Sequence, residues 1–292
     1  MQDNTLHGHL GAIAVVTLWG TTFVSSKVLL NAGLMPADIF VIRFLMAYLC
    51  MLIISHRRLW SDSIADELTL AGLGIMGGSL YFLTENMALI YSTTANVSIL
   101  VSTTPLLTAI LLAIFYKSER MSRRQAAGSL LAFVGVVLVV LNGQLVLHLN
   151  PLGDALALSA SLTWALYSLL MRRIMGHYSA DFITRKVFFY GILTIIPYFI
   201  FVTPMNIDTA LYSSPKVIGN LLYLGLAAST GGYLLWNWVM KCLGAIKSTN
   251  YIYFQTLVTM VAGALILNER ITWMALAGAV VLIAGMLRAL RK

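Results

Sequence analysis

Apolar runs recur about ten times along this chain, near residues 10–30, 37–55, 69–91, 95–116, 124–142, 152–171, 182–202, 217–240, 247–267 and 271–290. A helix rises about 1.5 Å per residue, so about 20 apolar residues cross about 30 Å of hydrocarbon. Most of the runs reach that length. Only 10% of the 292 residues are charged, against about 25% in a soluble domain. The expected fold is therefore an all-α polytopic membrane protein with ten transmembrane helices and little chain left for a soluble domain.

The formal charge of +8 invites a nucleic-acid reading, but its distribution excludes it. With the N-terminus inside, one side carries Arg57, Arg58, Lys117, Arg120, Arg123, Arg124, Arg172, Arg173, Lys241, Lys247, Arg288, Arg291 and Lys292, and the other carries Lys216 and Arg270. That asymmetry is a topology signal with both termini cytoplasmic, in a cytoplasmic (inner) membrane of bacterial type. The first run lacks an early Lys or Arg and a cleavage site, so it reads as a retained span rather than a signal peptide. Cys50 and Cys242 fall inside spans and support no disulfide framework.

The chain repeats itself. Residues 85–120 lie on residues 236–270 at an offset of 151, which slips to 150 near the end, so Asn86 falls on Asn237. Trp19 answers Trp164 at 145, and Asp38 and Arg43 answer Asp181 and Lys186 at 143. Gly128 and Gly135 answer Gly278 and Gly285 at 150. Seven residues are two helical turns, so each glycine pair forms a flat strip for close helix packing. Residues 1–146 and 147–292 thus read as two five-span units joined near 143–151. Five is odd, so the second unit enters the membrane from the opposite side. Inverted repeats of this kind commonly bind substrate near midplane and alternate access.

On a helix Ser98, Ser102, Pro105 and Thr108 share one face, and their repeat partners are Thr249, Tyr253, Thr256 and Thr259. These two polar seams are expected to line the outer and inner halves of a path. Pro105 removes an i to i−4 bond to the Val101 carbonyl, which marks a kink that could act as a gate.

The stretch ALIYSTTANVSILVSTTPLLTAILLAIFYKSER resembles the repeat of the drug/metabolite transporter superfamily, EamA type, as do the Trp19-Gly20 pair and IRFLMAYL of the second span. The chain departs from that pattern at Gln255-Thr256, at Lys241-Cys242 and at Ser118 before Glu119. The resemblance implies a ten-span carrier of small metabolites, with spans one, three, four, six, eight and nine around the path.

Glu85 is the only acid well inside an early span, about six residues or roughly 9 Å from its outer end. An intramembrane carboxylate is costly and faces a cavity or a partner. It reads either as a site for a coupling proton or as a hydrogen-bonded lock between spans three and four. Arg43 reads as a structural partner of Asp38 or as an acceptor of a substrate carboxylate, with the structural reading ahead. Arg185 and Lys186 read as cations that snorkel to the headgroups. Trp19, Tyr81, Trp164, Tyr167, Tyr233, Trp236, Tyr251 and Tyr253 lie on the implied path helices, and aromatic walls with few polar anchors suit a small amphipathic molecule. Asn86 and Asn237 either bind substrate or bridge helices. The expected site is Glu85, Trp19, Tyr81, Asn86, Ser98, Ser102, Trp164, Tyr167, Trp236, Asn237, Tyr253 and Gln255, with Pro105 as the kink.

GLGIMG at 72–77 matches a dinucleotide fingerprint but lies within a membrane run with no strand before it, so it reads as helix packing. No Gly-Lys dipeptide, HExxH or GxSxG occurs, which leaves no P-loop, zinc-protease or hydrolase signature. The Asn96 sequon sits at a membrane edge and reads as chance. No cofactor or metal is expected. The expected function is secondary active transport, with export of amino acids or organic amines favoured. A facilitative channel and an intramembrane enzyme are the alternatives. The partners are a small-molecule substrate, the bilayer and a coupling proton, in a monomer or homodimer.

Overall fold

The computed structural model describes residues 2–92, 94–116, 121–141, 150–206, 208–267 and 271–290. Eight helices long and apolar enough to span follow one another: α1 (Leu6–Asn31), α2 (Pro36–Ile54), α3 (Ile64–Tyr91), α4 (Val97–Phe115), α5 (Arg123–Leu141), α6 (Pro151–Ile174), α7 (Ala180–Phe201) and α8 (Pro215–Leu243). After α9, which is in two pieces (Ala245–Asn250 and Ile252–Leu267), comes α10 (Trp273–Leu290), a ninth of that kind. Prolines open α2, α6 and α8 at a position where no helical N–H is needed. The join between the two sequence units, and the pairs Glu119-Arg120 and Glu269-Arg270, lie outside the described residues.

The break in α9 has a local cause. The side chains of Ser248, Thr249 and Asn250 turn back to the carbonyls of Gly244, Ala245 and Ile246 at 2.8 Å each, and such back-bonding bends helices. In α4 the break falls at Ser102 and Thr103. Pro105 frees the Val101 carbonyl as expected, but the Thr104 hydroxyl donates to it at 2.7 Å. The kink is therefore closed by the chain's own side chain rather than left as an open ligand.

Equivalent helices α5 and α10 establish the inversion. Gly128 packs on Ala289 and Gly285, and Gly135 on Leu282; reciprocally, Gly278 packs on Val139 and Gly135, and Gly285 on Ala132 and Gly128. Shifting each contact by 150 returns another contact of the same set. The start of α5 meets the end of α10, so the pair is antiparallel. A twofold operation that maps one antiparallel helix onto the other has its axis perpendicular to both, which for spanning helices lies in the membrane plane. The π-helical turns repeat as well, at Ile75–Ser79 in α3 and Tyr223–Gly231 in α8, because 75–79 falls on 226–230 at offset 151. Gly74 and Gly78 of α3 approach Tyr190, Gly191 and Phe44, the close packing read from the sequence.

Two expectations for the charged residues are corrected. Lys186 is buried and ion-paired with Glu67, which also accepts from Tyr190 and from Ser61 Oγ at 2.6 Å. Arg185 is buried too, and its terminal nitrogens donate to the carbonyls of Ser55 and Arg58. Neither snorkels, because the α2–α3 loop offers its carbonyls to Arg185 and the first turn of α3 offers the Glu67 carboxylate to Lys186 inside the protein. Asp38 accepts from the Met35 and Asn206 backbone at 3.4 Å and leaves Arg43 to another partner. In the exposed loop, a hydrogen bond from Arg58 holds the Asp62 carboxyl below its usual range.

Candidate functional site

Helices α1, α2, α3, α4, α6, α8 and α9 line a small cavity of about 30 Å³, room for a water molecule or two and well below the about 300–1,000 Å³ of small-ligand sites, so this conformation is closed to a metabolite. Its walls come in repeat-related pairs. Trp19 faces Trp164, related at 145, with ring centroids 5.4 Å apart and planes at 90°. Phe82 and Tyr233, Val101 and Ile252, and Thr104 and Gln255 all line the same cavity, and each pair is related at the single offset of 151. A cavity lined by both members of several equivalent pairs sits on the pseudo-twofold axis, where the two halves meet.

The polar anchors break that symmetry. Glu85, Tyr81 and Arg43 line the cavity, and all three belong to the first half. Their repeat partners are Trp236, Gly232 and Lys186, none of which lines it. Gly232 is small for a reason, since a Cβ there would lie 2.5 Å from Trp19 Nε1. The glycine lets that indole reach the Ala228 carbonyl at 2.9 Å. Glu85 is 7% exposed and accepts from Tyr81 Oη at 2.7 Å. That partner lies one turn back on its own helix, and among the described residues no hydrogen bond of Glu85 ties α3 to α4. Arg43 donates from Nε to Ser229 Oγ at 2.8 Å and lies 4.3 Å from the Phe82 ring centroid.

Five of the residues expected from sequence line the cavity: Trp19, Tyr81, Glu85, Trp164 and Gln255. Three stand directly behind its aromatic wall. Tyr167 stacks on Trp164 at 5.0 Å and donates to Asn237 Oδ1, while Asn237 Nδ2 donates to Thr184 Oγ1 at 2.8 Å, so Asn237 bridges α6, α7 and α8. Trp236 is fully buried 5.2 Å from Trp19. Asn86 reaches the Pro36 carbonyl at 3.4 Å. The two polar seams do meet, at Ser102 Oγ and Thr256 Oγ1, 3.1 Å apart. Ser98, Ser102, Thr249, Tyr253 and Thr256 are all buried and form helix contacts beside the cavity rather than its lining. Pro105 lies in the first turn of the second part of α4, which begins at Thr104.

The EamA-like transporter family model matches residues 6–141 and again residues 151–291. The chain belongs to that family. Named relatives of this EamA-family chain include a transporter of Archaeoglobus fulgidus, 28% identical over 95% of both chains. Two are called probable amino-acid metabolite efflux pumps: one from Escherichia coli K12, 26% identical, and one from Salmonella typhimurium LT2, 29% identical. Each alignment covers 94% of this chain and 92% of the relative. A solved crystal structure shares the fold with a TM-score of 0.73 at 16% identity, covering 98% of this chain and 97% of its own.

Sequence reading of this EamA chain passed over Thr22, Phe82, Val101, Thr104 and Ile252 as expected site members, Tyr233 stood only among the path aromatics, and Arg43 was weighed for a substrate carboxylate with a structural role ahead. The offset of 151 was the available signal. It links three cavity pairs, but those residues are apolar or hydroxylic and look like ordinary span residues one at a time.

Proposed function

We propose that this multi-pass EamA transporter is a secondary active exporter of small amphipathic metabolites such as amino acids or organic amines, working by alternating access. The observation that carries the reading is the on-axis cavity, whose repeat-related walls are shared between the halves. Rocking one half against the other would open such a site to one side and then the other. The aromatic wall suits an apolar group, and the few buried polar groups suit orientation of a small polar head. The names of the Escherichia coli and Salmonella relatives favour amino acids and export. The excess of Lys and Arg on one side favours cytoplasmic termini and a cytoplasmic membrane.

Glu85 is the carboxyl at the cavity, and it is the group we assign to a coupling proton. Purified protein in proteoliposomes is expected to catalyse counterflow of labelled amino acid against an unlabelled internal pool. An imposed proton gradient should stimulate it, and Glu85→Gln should abolish that stimulation. A channel would give no counterflow, and an enzyme would return altered substrate. Unchanged proton dependence in Glu85→Gln would remove the proton role.

A further inference from the structure

Arg43 is the exception among the cations embedded in this protein. Lys186 is ion-paired with Glu67. Arg185 spends both terminal nitrogens on backbone carbonyls. Lys27 donates to the Leu89 carbonyl at 2.7 Å. Arg43 is 2% exposed, yet only its Nε is hydrogen-bonded, to Ser229 Oγ. Among the described residues Nη1 and Nη2 have no hydrogen-bond partner, and the side chain lines the cavity. A guanidinium carries five donors in a planar fork that matches a carboxylate bidentately. A buried cation with its fork open toward a cavity has a high desolvation cost, and within a membrane such a group marks a binding role.

Glu85 lines the same cavity, but the salt bridges among the described residues do not join it to Arg43. The cavity therefore presents a positive fork and a carboxyl as separate anchors, with Trp19, Trp164 and Tyr233 between the halves. A molecule with one carboxylate, one ammonium and an apolar group complements all three. A dianion such as a phosphate ester would meet Glu85 as a like charge, and an amine without a carboxylate would leave the fork empty.

We infer that Arg43 is the substrate carboxylate anchor, bound through Nη1 and Nη2, and that the cavity selects carboxylate-bearing zwitterions over organic amines. This rests on the transporter reading and narrows it. Bidentate charge-assisted hydrogen bonds of this kind are worth about tenfold or more in affinity.

The test pairs binding with exchange. The proteinogenic amino acids, each beside its methyl ester and its decarboxylated amine, are titrated against purified protein by intrinsic tryptophan fluorescence, since Trp19 and Trp164 line the cavity. The same probes are then run in counterflow. For the amino acid that binds best, the ester and the amine are expected to bind at least tenfold more weakly. Arg43→Gln should remove that preference, and Arg43→Lys, a point charge without the fork, should keep part of it. Equal binding of acid, ester and amine to the unaltered protein overturns the assignment whether or not the variants fold, and so does the absence of binding by every probe. Selective binding without counterflow leaves the anchor standing and overturns the transporter reading.

Discussion

The packing of α5 on α10 makes a quantitative test of the inverted repeat. A methyl group added at Gly285 would clash with the Ala132 nitrogen and lie 2.7 Å from its Cα and 2.8 Å from the Gly128 carbonyl oxygen. Carbon atoms rest at about 3.5–4.0 Å, so the backbones must separate by roughly 1 Å. Overpacking of this kind costs about 1–3 kcal/mol. Helix propensity works the other way and favours alanine over glycine by about 1 kcal/mol. Gly219 is the control, an exposed helical glycine in α8 with nothing within 4 Å of its Cβ position, because Gly219→Ala carries the propensity gain alone. The difference between Gly285→Ala and Gly219→Ala therefore isolates the close approach at about 1–3 kcal/mol. With roughly 2–4 °C per kcal/mol for a large domain, the apparent Tm values in detergent should differ by about 2–12 °C. Symmetry requires Gly135→Ala, which meets Leu282 as Gly285 meets Ala132, to lose as much as Gly285→Ala. Gly128 and Gly285 contact each other, so the Gly128→Ala and Gly285→Ala double variant should lose less than the sum of the two. A Gly285→Ala protein as stable as Gly219→Ala would refute the reasoning.

Two further outcomes follow from contacts elsewhere. Lys186→Met leaves Glu67 without its cation; complete burial would make that worth about 3–5 kcal/mol, and because the Glu67 side chain is 18% exposed the expected loss is roughly 2–4 kcal/mol. Adding Glu67→Leu should recover much of it, and a double variant no more stable than the single one would contradict the ion-pair account. In α4, Thr104→Val should cost about 1–3 kcal/mol by stranding the Val101 carbonyl, since the same hydroxyl also meets Ser161 Oγ at 2.9 Å. Thermal unfolding beside Ser102→Ala, which removes a hydroxyl without stranding that carbonyl, reads the difference.

The architecture was legible because it is written in periodicities. Apolar length set the spans, and the recurrence of Gly128 and Gly135 as Gly278 and Gly285 placed a contact that the structure shows atom by atom. Side-chain partners were less legible, since they depend on which helices meet. Asp38 and Arg43 are five residues apart and opposite in charge, yet Asp38 turns to the backbone of Met35 and Asn206 and Arg43 to Ser229 on α8. Arg185 and Lys186 sit near a helix start, where snorkelling is common, but a loop meets Arg185 with carbonyls and the start of α3 meets Lys186 with a carboxylate. The seam residues share a face, as their spacing requires. That face packs on a neighbouring helix, and Val101, Thr104, Ile252 and Gln255 beside it reach the cavity.

The central claim is that the cavity on the pseudo-twofold axis is the substrate site, reached through both halves. Val101 and Ile252 are repeat partners that both line it. With Cys50 and Cys242, which are free thiols, replaced by serine, Val101→Cys and Ile252→Cys can each be labelled with a thiol reagent in the presence of the amino acid that counterflows fastest. The account predicts that this amino acid slows labelling at both positions. Labelling unchanged at both, in protein that still exchanges the amino acid, would place the substrate elsewhere and contradict the account.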